Sequence, residues 1–119
     1  MQANNLSKVM KNAKQSRCVI GIKGQTPDPD YPVDIWFDSL KSLANVLSKE
    51  NQQLLKVIAE QQPQSVTELA TLTGRAVSNV SRTLKTLGKY NLVEMTKSPN
   101  GLAVTLQYQS MLLLIQPLE

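Results

Sequence analysis

Residues 65–90 read SVTELATLTGRAVSNVSRTLKTLGKY, two short amphipathic segments joined by Thr-Gly-Arg, and no other stretch restricts the fold as tightly. At about 100° per residue in a helix, Val77, Val80, Leu84 and Leu87 fall within one arc of roughly 80°. Arg75, Ser78, Asn79, Arg82, Lys85 and Lys89 fall on the other side. An apolar stripe of that width packs on a core, and the opposite side then shows cations, hydroxyls and one amide to solvent. Gly74 supplies the backbone freedom for a tight turn, so the pair is predicted as a helix-turn-helix.

The residues before it extend the helical part. Asp38 is placed to cap a helix through Leu47, with Leu40, Leu43 and Leu47 at i, i+3 and i+7, and Trp36 and Phe37 just ahead anchor that helix on the core. Ser48 caps a helix over Lys49 to Gln62, in which Leu54, Leu55, Ile58 and Ala59 repeat at helical spacing and Pro63 follows the end. Ser65-Val-Thr-Glu68 fits a capping box, the serine oxygen taking a backbone N–H and the glutamate reaching back to the N–H of Ser65 itself. Glu68 then has a structural role. Leu69, Ala70 and Leu72 give the third helix its buried side.

Leu92 to Lys97 and Leu102 to Leu106 are two strand-forming runs separated by Ser98-Pro99-Asn100-Gly101, and Asn-Gly is a strong hairpin signal because favoured turns place positive φ at their centre. At the other end, Leu6 to Gln15 reads as a short basic helix and Cys18 to Ile22 as a short strand. The Pro/Asp loop Gln25 to Pro32 joins them to the rest. The expected fold class is mainly α with a small β wing: a winged helix-turn-helix over residues 36–119, carrying an N-terminal helix/strand extension over 1–35. Gln109 to Leu118 contains Met111 to Ile115, which is too apolar to sit in water; it either completes the core or, with the N-terminal segment, builds a homodimer.

Composition narrows the chemistry. A chain of 119 residues, 41% hydrophobic, supports one core with no room for a separate catalytic domain, and it contains no histidine. The commonest general base and metal ligand is thus missing, and the lone Cys18 can neither close an internal disulfide nor complete a cysteine-rich zinc site. No enzyme activity, cofactor or metal is expected. Asp28 and Asp30 lie in a flexible turn without a third ligand type and read as solvated. Cys18 reads as a small buried hydrophobe, with a redox trigger as the alternative. The longest apolar run spans Met111 to Ile115, far short of a membrane span, so the chain reads as a soluble cytoplasmic protein with no membrane partner.

Charge is segregated along the chain. Residues 1–23 hold Lys8, Lys11, Lys14, Arg17 and Lys23 and no acid; residues 24–74 carry a net charge of −4, and residues 75–119 a net charge of +3. Polarity reverses where the second short helix begins, which favours a polyanionic partner.

The run from Phe37 to Leu118 resembles the winged helix-turn-helix transcriptional regulators of the MarR and ArsR type, and within them a small DNA-binding family whose members are often antitoxins paired with a toxin. The resemblance is carried by QSVTELA, the Gly74-Arg75 turn, SNVSRTLKTL with Gly88, and Leu92-Val93 at the wing's start. It implies binding of double-stranded DNA without chemistry, by a repressor acting as a homodimer on a palindromic site, with a cognate toxin as a further partner. Ser78, Asn79 and Arg82 are placed to meet base edges, Asn79 matching adenine and Arg82 guanine. Arg75, Lys85, Lys89 and Lys97 fit phosphates, and Ser98 and Asn100 at the wing tip lie beside the backbone or minor groove. The alternative is a protein-interaction module that neutralises a toxin, with DNA binding secondary. Such regulators commonly lead into the wing with Gly-Leu-Val; here Asn91 precedes Leu92-Val93, and asparagine tolerates the same left-handed backbone.

Overall fold

The computed structural model describes residues 13–26 and 28–115. In chain order these form β1 (Ala13–Ile22), β2 (Ile35–Phe37), α1 (Leu40–Val46), α2 (Lys49–Gln61), α3 (Val66–Thr73), α4 (Val77–Lys89), β3 (Val93–Ser98) and β4 (Gly101–Leu113). The four strands make one sheet in the order β2-β1-β4-β3. β1 runs parallel to both β2 and β4, with Ile20 beside Ile35 and Leu113, whereas β3 and β4 form an antiparallel hairpin from Val93↔Leu106 to Ser98↔Gly101.

The fold is therefore mixed α/β, which corrects the expectation of a mainly α protein with a small β wing. Two segments account for the difference. Residues 13–15, expected as the end of a basic helix, begin β1, and this strand lies inside the sheet between β2 and β4; it is not an appended extension. The remainder of that expected helix, Leu6 to residue 12, lies outside the described residues. The second segment is the wing's return strand, which does not stop at Leu106 but continues to Leu113 as a thirteen-residue strand. Its second half pairs along one edge with β1, and that pairing is non-local, with a sequence separation of more than ninety residues that no short-range pattern can signal.

Local chemistry fixes the helix ends. Ser39, not Asp38, caps α1: its Oγ accepts from Ser42 N–H at 3.0 Å and Ser42 Oγ accepts from Ser39 N–H at 3.2 Å. Asp38 is drawn instead to Lys23, at 2.8 Å. Ser48 caps α2 and Ser65 caps α3. Glu68, however, accepts from the N–H of Gln64 at 2.6 Å, one residue before the cap, so the reciprocal arm of the expected box reaches further back. α3 ends on Gly74 at φ 70°, and the Arg75 N–H returns to the Ala70 carbonyl at 3.1 Å.

One contiguous core joins the sheet to all four helices. Cys18, Ile20, Phe37 and Val104 come from strands, and Leu54, Ile58, Leu69, Val80, Leu84 and Leu87 from helices. Burying a side chain of this size contributes about 1.5–3 kcal/mol, which is what holds α4 in place by one stripe. Val77 departs from the expected stripe, being 45% exposed at the helix's first position. Past the end of α4, Tyr90 stacks on Phe37 with centroids 4.2 Å apart, and Asn91 adopts φ 61° to turn the chain into β3.

Candidate nucleic-acid interface

The second helix of the pair carries the site. Val80, Leu84 and Leu87 are fully buried, which turns the opposite side of α4 outward. Ser78, Arg82, Lys85 and Lys89 are exposed and lie within an arc of about 60° by helical geometry, over a length of about 16 Å. Among the described residues no ion pair engages Arg82 or Lys85. The Thr86 hydroxyl bonds the Arg82 carbonyl and not its side chain, and Arg82 is exposed.

Lys89 sits in a different electrostatic setting at the far end of the helix. The carboxyl of Asp38 is held below its ordinary range first by its hydrogen bond and ion pair with Lys23, with a smaller contribution from Lys89. Lys23 is correspondingly raised, its bond to Asp38 being the largest cause. Lys89 thus lies within the field of an acid that Lys23 already pairs, whereas no ion pair engages Arg82 or Lys85 among the described residues.

Arg75 lies apart from this group. Its Nε donates to Asn79 Oδ1 at 2.8 Å and its Nη2 to Thr83 Oγ1 at 2.9 Å, so the side chain is folded along the start of α4. The third nitrogen, Nη1, is buried with no protein acceptor among the described residues. Asn79 remains exposed, and its Oδ1, with one lone pair taken by Arg75, keeps a second for a base while its amide N–H groups stay available, so the Arg75 bond fixes the orientation in which Asn79 can meet an adenine. Arg75 and Asn79 also line a groove of about 810 Å³ between α2 and the helix pair, with Glu50, Lys56, Glu60 and Leu72. Thr83 was not singled out from sequence, although its place four residues after Asn79 and eight after Arg75 puts the three along one side of a helix.

The hairpin is fastened to α3. Ser98 Oγ places its single proton between the Gln64 carbonyl at 2.8 Å and the Gly101 carbonyl at 3.2 Å, so that hydroxyl holds the tip rather than standing open. The two turn residues are Pro99 and Asn100, and the positive φ falls on Gly101, at 128°, not on Asn100. Lys97 and Asn100 are exposed. The structure therefore brings Ser78, Arg82, Lys85 and Lys89 onto one face, bonds Asn79 to Arg75, and pins the wing tip through Ser98 to Gln64, two residues before α3.

Residues 46–112 match the HVO_A0114 family, more than half of the chain and the span that includes the helix pair, the hairpin and most of β4. The chain belongs to the HVO_A0114 family. No curated protein and no solved structure matches it. The matched span of this HVO_A0114 member begins at the last residue of α1 and leaves out β1 and β2. Among the described residues no helix is long and apolar enough to cross a membrane, and no group of three acids and cysteines stands ready for a metal. Asp28 Oδ1 accepts from the Asp30 N–H at 2.8 Å, an ordinary turn contact.

Proposed function

We propose that this HVO_A0114 member is a sequence-specific double-stranded-DNA-binding regulator of transcription, a cytoplasmic repressor that works as a homodimer. One observation carries the reading: α4 is held by a fully buried stripe while Arg82 and Lys85, unpaired among the described residues, stand exposed on its opposite side with Ser78. A helix mounted in this way fits a major groove, with side chains near its N-terminal half at base edges and later cations at phosphates. In this reading Arg82 meets a guanine edge, and Lys85 and Lys89 meet phosphates. Arg75 either positions Asn79 or exchanges it for a phosphate, and Lys97 and Asn100 follow the backbone from the wing.

The test begins with selection of duplexes from a random library by the full chain, followed by titration of the selected sequence. Arg82→Ala is expected to lose about 1–3 kcal/mol and to relax preference at one base pair, while Lys85→Ala weakens all sequences alike and lowers the salt slope by about 1. Failure to enrich any sequence, together with low-salt affinities that neither substitution changes, would overturn the reading.

A further inference from the structure

The two halves of β4 have different neighbours. β3 covers one edge from Gly101 to Leu106, and β1 covers the opposite edge from Leu106 to Leu113. On the β3 side, Tyr108 to Leu113 have no strand beside them among the described residues. Two hydrogen bonds identify the backbone groups left over. Gln107 N–H donates to the Leu92 carbonyl on the β3 side and Leu114 N–H to the Ile20 carbonyl on the β1 side, each at 3.0 Å. Backbone groups alternate between edges along a strand, so Gln109, Met111 and Leu113 turn their N–H and C=O toward the vacant edge.

This edge lacks the usual protections. Open edges are normally blunted by charges, proline, bulges or shortness. Residues 101–118 contain no charged side chain, and no proline precedes Pro117. The flanking surface is apolar at one end: an opening of about 440 Å³ next to Met111 and Leu113 is lined mainly by Leu40, Leu43 and Leu47, with Leu40 and Leu113 52% and 38% exposed, whereas Lys56 and Glu60 of α2 stand beside Tyr108 and Gln109 at the other end.

We infer that the Tyr108 to Leu113 edge of β4 is the homodimer interface, occupied by the same edge of a second copy paired antiparallel across a two-fold axis at Met111. The inference deepens the dimeric part of the proposed function and rests on that reading for that part alone. A second copy fits because an antiparallel strand is complementary to itself: Met111 faces Met111, and Gln109 faces Leu113 of the second copy, each pair exchanging both backbone bonds for about six in all. A charged edge meets its own like charges on self-pairing; this one meets none. The register also fits the available length. With the axis at Met111, residue 115 of the second copy comes opposite Gln107, where Leu92 already sits, so the incoming strand ends where the β3 hairpin begins.

Sedimentation of the full chain without DNA tests this. The wild type is expected to be a dimer at micromolar concentration. Met111→Lys, which sets two like charges opposite each other, and Leu113→Lys at the exposed end are each expected to raise the dimer dissociation constant at least about tenfold. Thr105→Lys, on the part of β4 that β3 already covers, is expected to leave it unchanged. Circular dichroism confirms folding, and Leu113→Lys carries the test if Met111→Lys unfolds. A monomeric wild type, or folded dimers from both variants, overturns the inference. A monomer that still binds duplex DNA removes the interface and leaves the regulator reading standing, whereas a dimer sensitive to Leu113→Lys that ignores DNA does the reverse.

Discussion

Arg75 and Asn79 are joined by a hydrogen bond of 2.8 Å from the guanidinium Nε to the amide Oδ1, across one turn of helix at the entrance to α4. α4 has no side-chain cap of its own, since its N-cap is Ala76, so this bond and its neighbour to Thr83 are what stiffen the first turns. In a double-mutant cycle, Arg75→Ala and Asn79→Ala are expected to couple by about 0.5–1 kcal/mol in urea unfolding, below the range for a buried charged donor because Asn79 is exposed. Additive losses would mean that the bond does not persist in solution.

The wing turn depends on one backbone conformation. Gly101 holds φ 128°, and a Cβ there would approach nothing closer than Ser65 Cβ at 3.5 Å, so the penalty for a side chain comes from the backbone rather than from a clash. Gly101→Ala is expected to destabilise by about 1–2 kcal/mol, and Asn100→Ala by less than about 0.5 kcal/mol. Urea midpoints at unchanged slope separate the two. Equal losses would place the strain at Asn100.

Short-range chemistry made much of this molecule legible. Ser48 and Ser65 announced the starts of α2 and α3, Gly74 announced the turn, and Val80, Leu84 and Leu87 announced the buried side of α4, because caps and helical periods act over a few residues. Cys18 to Ile22 was legible as a strand, but the first half of β1 and the second half of β4 were hidden for the converse reason: each is a strand only because the other lies beside it. The basic residues of the N-terminal segment also resembled a helix face, when from Ala13 onward the chain is a strand. At the site, the exposed row of Ser78, Arg82, Lys85 and Lys89 follows from helical geometry. The diversion of Asn79 to Arg75 depends on a side chain folding back, which spacing alone does not reveal.

Cys18 sets a pH dependence at the alkaline end. The side chain is fully buried, and desolvation, aided by the negative field of Asp34, pushes its thiol up to about 11 from 9.0. The folded state therefore keeps this proton more tightly than the unfolded chain does. The resulting stability is fully present below about pH 9 and is lost as pH rises toward 11. Wild type is expected to lose about 2–3 kcal/mol relative to Cys18→Ala across that window. At neutral pH the native thiol is expected to resist alkylation until the chain is unfolded. Rapid native modification would instead revive the redox reading.

Trp36 lies against Gly21, across the β1–β2 pairing, and that contact leaves no room for a side chain. A Cβ on Gly21 would stand 2.9 Å from Trp36 Cζ3 and 2.9 Å from Val33 Cγ2, well inside van der Waals contact. Neither neighbour is easily moved: Trp36 pairs with Gly21 in the strand register, and Asp34, next to Val33, is bonded twice to Val19, through its backbone N–H and its carboxylate. The indole, already 36% exposed, yields most easily by swinging outward. Gly21→Ala is thus expected to cost about 1–3 kcal/mol, the range for overpacking, and to shift the emission of this sole tryptophan to the red with greater acrylamide quenching. Trp36→Leu in the same background relieves the crowding and is expected to recover part of the loss. An unshifted emission at full destabilisation would move the strain to Val33 and away from the ring.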